Sequence, residues 1–145
     1  MEQKNASKIK LSKFRDRLLA KQKLPSKIPI FDHEKLDVYK VAIEFLVLAD
    51  TIGEQLPKGR GYLSDQLLRA ATSIPLNIAE GAGEYSSSEK GRFYRMAKRS
   101  ASECVAIIDA CYHLKLVEES PYAKGRELLD RIVAMLTKMA QGLSR

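Results

Sequence analysis

The chain has 145 residues, 45% hydrophobic and 30% charged, which suits one globular domain and excludes a disordered polyelectrolyte. It has no run of about 18 uncharged apolar residues to span a membrane, and its first 30 residues are too charged for a secretory signal. The net charge of +7 is unevenly placed: residues 1–29 hold nine Lys/Arg against two acids, whereas residues 30–145 hold sixteen of each.

A basic arm on a neutral body is a pattern for a polyanion partner. It makes Lys8, Lys10, Lys13, Arg15, Arg17, Lys21 and Lys23 candidate phosphate contacts; the competing reading is a solubilising tail. Ile9, Leu11, Phe14, Leu18 and Leu19 are spaced loosely as an amphipathic helix, expected to fold on a partner. Leu24-Pro25-Ser26-Lys27-Ile28-Pro29 disfavours helix and marks a linker. The expected division is an arm over 1–29 and a helical body over 30–145.

The body reads as four helices with no strand alternation. The first is predicted from about His33 to Gln55, with Asp32 as N-cap and Leu56-Pro57-Lys58-Gly59 as its stop. The second runs from about Tyr62 to Ala82, kinked at Pro75 and stopped by Gly81 and Gly83. The third follows Ser86, with Ser86 and Glu89 as a capping box, and reaches about Leu116. The fourth starts at Ser120 with Pro121 at its first helical position and ends near Gly142. Short connections predict an all-α, antiparallel up-down four-helix bundle.

Helices two to four each show one apolar stripe. On the third it is Phe93, Ala97, Ser100, Cys104, Ile107, Ile108 and Cys111, so both cysteines read as small buried hydrophobes. Seven helical residues separate their Cα atoms by roughly 10 Å, too far for a disulfide, and a reducing cytoplasm is expected. The first helix is apolar on two sides. Leu36, Tyr39, Ile43, Leu46 and Val47 form one stripe; Val38, Val41, Phe45, Leu48 and Ile52 form another. One side must face the core and the other is expected to be a subunit interface, so Val38, Val41, Phe45 and Leu48 are candidate interface or structural residues. The competing reading buries this helix centrally under the tail.

Catalytic groups are scarce. His33 and His113 have no Cys, Asp or His partner at ligand spacing, and the paired Glu-x-x-His motifs of di-iron bundles are absent, so neither metal, cofactor nor enzymatic activity is expected. Gly81-Ala82-Gly83 lacks the Lys-Ser/Thr of a phosphate loop. The third helix does carry a cationic face of Arg92, Arg95 and Arg99, broadened by Lys98. Such a row can follow a phosphate backbone. It competes with simple pairing of Glu89 with Arg92 and of Glu103 with Arg99. On the second helix Gln66, Arg69, Ser73, Asn77 and Glu80 form a polar line. We expect Ile78 buried, Asn77 and Glu80 hydrogen-bonded between helices or subunits, and Gly81 in the helix stop. Tyr94 and Phe14 are candidates for base stacking, Phe14 equally for the arm's own anchor.

Residues 66–81, QLLRAATSIPLNIAEG, resemble the signature of the bacterial four helix bundle proteins, also called 23S rRNA intervening sequence proteins. The resemblance continues through Ser86, Glu89, Arg92, Phe93, Ala97, Ser100 and Glu103 and covers roughly residues 31–142. It departs at Arg99, where a Gly is common, and at Glu84, where a basic residue is. The resemblance implies an antiparallel bundle assembling as a homopentameric ring. It also extends to the accessory variability determinant proteins of diversity-generating retroelements, which bind RNA and a reverse transcriptase. The expected function is therefore a non-enzymatic, homo-oligomeric, RNA-binding accessory factor. A protein-interaction scaffold and a membrane-surface module built on residues 7–23 are the competing readings.

Overall fold

The computed structural model describes Ser12, residues 14–18, Ala20 and residues 26–144; Lys8, Lys10, Lys13, Lys21 and Lys23 lie outside the described residues. Among the described residues the protein is all-α, a bundle of four long helices: α1 (Asp37–Gln55), α2 (Gly61–Ala82), α3 (Ser87–His113) and α4 (Glu119–Leu143). Each helix packs on its sequence neighbour, and α4 also packs on α1. No helix among the described residues is long and apolar enough to cross a membrane.

Helix starts follow local chemistry. Residues Asp32–Lys35 form a separate 3-10 turn, so α1 begins four residues later than the predicted His33. Asp32 is not its N-cap: its carboxylate accepts from Lys35 at 3.0 Å, while Glu34 accepts the Phe31 N–H at 2.9 Å. Ser86 caps α3, accepting the Glu89 N–H, but the expected box is half formed, since the Glu89 carboxylate accepts from Arg92 instead. Pro75 sits inside α2, which continues through it. Lys90 of α3 donates to the Ala82 carbonyl at the end of α2, a cation on helix-terminal oxygens. α3 ends at His113, three residues before the predicted Leu116. The chain turns there at Lys115, φ 60°, with Leu116 N–H donating to Cys111 O and Lys115 N–H to Tyr112 O. Pro121 falls in the first turn of α4 but not at its first position, since that helix starts at Glu119.

The core is set by heptad-like spacing. Val38, Val41, Phe45, Leu48 and Ile52 of α1 are all at most 5% exposed in the single chain. Of the two roles offered for Val38, Val41, Phe45 and Leu48, interface or structural, their burial in the single chain fits the structural one: they face the bundle core. They meet Leu67, Ile74 and Ile78 of α2, Cys104 and Ile108 of α3, and Leu128, Ile132 and Leu136 of α4 in one buried cluster. Each such aliphatic side chain contributes about 1.5–3 kcal/mol of burial. Gly125 lets α4 approach closely, since a Cβ there would lie 3.2 Å from Ile108 and 3.7 Å from Phe45 and Leu48.

The other side of α1 is covered by the arm. Residues 14–18 are helical and Phe14 is buried with the core, so the partner on which this segment folds is the chain itself. Val47 and Thr51, on the side of α1 away from the bundle, are 5% and 3% exposed. The surplus apolar face is thus, at this end, covered by the tail, the reading that sequence reasoning ranked second. Leu36, Tyr39, Ile43 and Leu46 remain partly buried.

Candidate functional site

The cationic face of α3 is formed as the spacing predicts. Arg92, Arg95 and Arg99 are exposed and Lys98 is half-buried. Arg92 is engaged: it forms an ion pair with Glu89 at 3.0 Å and lies 4.9 Å from the centroid of the Phe93 ring. The competing pair between Arg99 and Glu103 does not form, and neither Arg95 nor Arg99 has an ion-pair partner among the described residues. Two arginines whose Cα atoms stand one turn apart are thereby left exposed, with the Arg95 guanidinium lying beside Gly91.

Of the arm's cations the structure places Arg15 and Arg17. Arg15 is exposed. Arg17 is not a free phosphate contact: its guanidinium donates to Asp50 at 3.0 Å and to Glu54 at 2.8 Å. Phe14 is the arm's anchor and not a stacking platform. Tyr94 is likewise excluded from stacking, being 5% exposed against α2.

The polar line of α2 divides in two. Ser100 of α3 and Ser73 share a hydrogen bond of 2.9 Å, and the Asn77 amide donates to the Ser73 carbonyl and hydroxyl at 2.8 and 3.0 Å. The interhelical link runs through the serines, while Asn77 bonds within its own helix. The Glu80 side chain is exposed and has no hydrogen-bond partner within the chain among the described residues. With Arg69, Thr72, Leu76 and Asn77 it lines a shallow open groove along the outer side of α2. Ile78 is fully buried, as expected. Gly81 is not a stop but a close-contact residue inside α2: a Cβ there would lie 2.7 Å from the Tyr94 ring and 3.1 Å from Phe93 Cβ. The signal was present, because Gly81 follows Ile74 by seven and Ile78 by three on the core stripe.

Burial, with Glu103 nearby, pushes the Cys104 thiol up to about 12, which disfavours a thiolate. His33 packs edge-on against Tyr39, and His113 edge-on against Tyr112. Among the described residues no three His, Cys, Asp or Glu side chains are grouped to hold a metal. A polar cluster joins α3 to α4: Tyr122 donates to Asp109 at 2.7 Å, Arg126 donates to the same oxygen at 2.6 Å, and Tyr122 stacks on Tyr112 at 4.1 Å. Burial pushes the Asp109 carboxyl upward, but these two donors outweigh it and hold the group below its usual range. Sequence reasoning missed this cluster, whose members come from two helices and share no local motif.

A comparison with protein families finds a match over residues 34–138 to the model described as 23S rRNA-intervening sequence protein. No curated protein matches the chain. The matched span takes in all of α1, α2 and α3 and most of α4, and leaves out the basic arm.

Proposed function

The chain belongs to the 23S rRNA-intervening sequence protein family, and from that premise we propose that it is a non-enzymatic, homo-oligomeric RNA-binding factor. Its body is an antiparallel up-down bundle. Its partners in this reading are single-stranded RNA, further copies of itself in a ring of five, and a retroelement reverse transcriptase. The observation that carries the RNA reading is the confinement of the whole +7 excess to residues 1–29, with Arg95 and Arg99 exposed and unpaired on the adjoining body. Five arms would give one particle about 35 excess positive charges, a multivalent array in which weak contacts act together.

Antiparallel packing is supported by the contacts between α2 and α3, where Ser73 meets Ser100 and Gly81, further along α2, meets Tyr94, further back on α3. Self-association draws support from the outer faces of the same two helices, where Leu76 is 57% and Met96 39% exposed. The five-fold ring and the reverse transcriptase rest on the resemblance of residues 66–103 alone.

The test is RNA binding across a salt series, with light scattering on the same samples. Lys8, Lys10, Lys13, Lys21 and Lys23 are changed to Gln together, which leaves Phe14 and Arg17 in place. The log–log salt slope should shrink by about 0.7 for each phosphate contact removed. Arg95→Glu with Arg99→Glu should weaken binding further. An unchanged affinity and slope in the arm variant overturns the RNA reading of the arm, and a wild-type monomer at micromolar concentration overturns the ring.

A further inference from the structure

Among the described residues, the seat of the arm on α1 combines apolar packing with one ion-paired guanidinium. Phe14 is 3% exposed. One turn later Arg17 reaches Asp50 at 3.0 Å and Glu54 at 2.8 Å, with the Thr51 hydroxyl at 3.4 Å. Side-chain exposure is 30% for Arg17, 48% for Asp50 and 45% for Glu54, so water and ions reach this fork. Among the described residues two apolar side chains, buried Phe14 and partly buried Leu18, and one guanidinium therefore hold residues 14–18 in place. A guanidinium recognises carboxylate and phosphate oxygens with the same donors, and it cannot serve both at once. Asp50 and Glu54 also repel any phosphate strand that approaches the docked segment.

We propose that residues 14–18 form a releasable latch. A phosphate-rich polyanion competes with Asp50 and Glu54 for Arg17, and its binding lifts the segment from α1 and uncovers Val47 and Thr51. This inference rests on the reading of the arm as a polyanion-binding element. It makes the docked state a cost on binding, since apparent affinity is reduced by the fraction of arms that are latched. Loosening the seat therefore tightens binding.

The chain contains no tryptophan, so Phe14→Trp supplies a single reporter of the seat. Its emission should be blue-shifted in buffer and move to the red when a 20-nucleotide oligouridylate or inorganic polyphosphate is added. Asp50→Asn with Glu54→Gln should show red-shifted emission from the start and bind oligouridylate roughly 3–10-fold tighter, the size expected for two half-exposed ion pairs. Asp65→Asn with Glu84→Gln adds the same charge elsewhere and should leave the indole blue-shifted. Trypsin cleavage after Arg15 and Arg17 in the chain without the reporter should accelerate with either polyanion, which tests the latch even where the indole does not fit. Bound oligouridylate with emission and cleavage unchanged refutes the latch and leaves the RNA reading intact. If oligouridylate binds neither protein, the RNA reading falls; release of the indole by polyphosphate then still supports the latch, and its failure to release refutes it.

Discussion

Gly81→Ala sets two effects of known sign against each other. Replacing a helical glycine by alanine gains up to about 1 kcal/mol of backbone propensity, less near a helix end. At this site the new methyl would lie 2.7 Å and 3.0 Å from two atoms of the Tyr94 ring and 3.1 Å from Phe93 Cβ. Carbon atoms rest at about 3.5–4.0 Å. The Tyr94 ring is 5% exposed and has little room to turn, and Phe93 Cβ is fixed to the α3 backbone. α2 and α3 must therefore separate by several tenths of an ångström, an overpacking cost of about 1–3 kcal/mol. Cost exceeds gain, and we expect a net loss of about 1–2 kcal/mol, or a fall of roughly 3–8 °C in Tm. Urea unfolding followed by circular dichroism measures this directly. Tyr94→Leu in the same chain should recover part of the loss, with a coupling of at least about 0.5 kcal/mol. A Gly81→Ala protein as stable as wild type, or strict additivity of the two changes, would falsify the close-contact argument.

Two other substitutions test the α3–α4 junction. Lys115 holds a left-handed conformation, φ 60°, that costs a non-glycine residue about 1 kcal/mol, so Lys115→Gly should raise stability by about 0.5–1 kcal/mol; a drop in the urea midpoint contradicts this. Asp109 is held below its usual range by Tyr122 and Arg126 against the opposing effect of burial. Its stabilisation is present above the ordinary carboxylate pKa and is lost as pH falls through the depressed one. Asp109→Asn should flatten the decline in stability below about pH 4; because the side chain is 34% exposed the effect stays under about 1 kcal/mol, and an unaltered acid limb argues against it.

The helix count and most of the boundaries were legible because caps and stops are local. Ser86 three residues before Glu89 needs no tertiary information, and neither does Pro57 after Gln55. The periodicity also showed that α1 is apolar on two sides, but it carried no information about what covers each side. A three-four spacing distinguishes the stripes: 38, 41, 45, 48 and 52 on α1 and 94, 97, 101, 104, 108 and 111 on α3 all become buried. That rule places Tyr94 in the core, whereas a looser wheel assigns Phe93 and leaves Tyr94 free to stack. The cationic face was correct in position, yet the fate of each charge depended on rotamers, so Arg92 pairs with Glu89 while Arg99 ignores Glu103. Arg17 was beyond reach for a different reason: its acids lie 33 and 37 residues away on another helix.

Heptad-spaced helices can slide past one another by seven residues and still match apolar with apolar, a degeneracy that uniform cores do not resolve. Here α2 and α3 have only one axial offset. The Ser73–Ser100 hydrogen bond occupies one point along the pair, and the absent side chain of Gly81 receives the Tyr94 ring at a second. A slip of one heptad would part the two hydroxyls, bring Ser73 opposite Phe93, and drive the ring against Ile74, which offers a branched side chain where glycine offered none. The two points act as a vernier: each tolerates a small error alone, and together they admit a single setting.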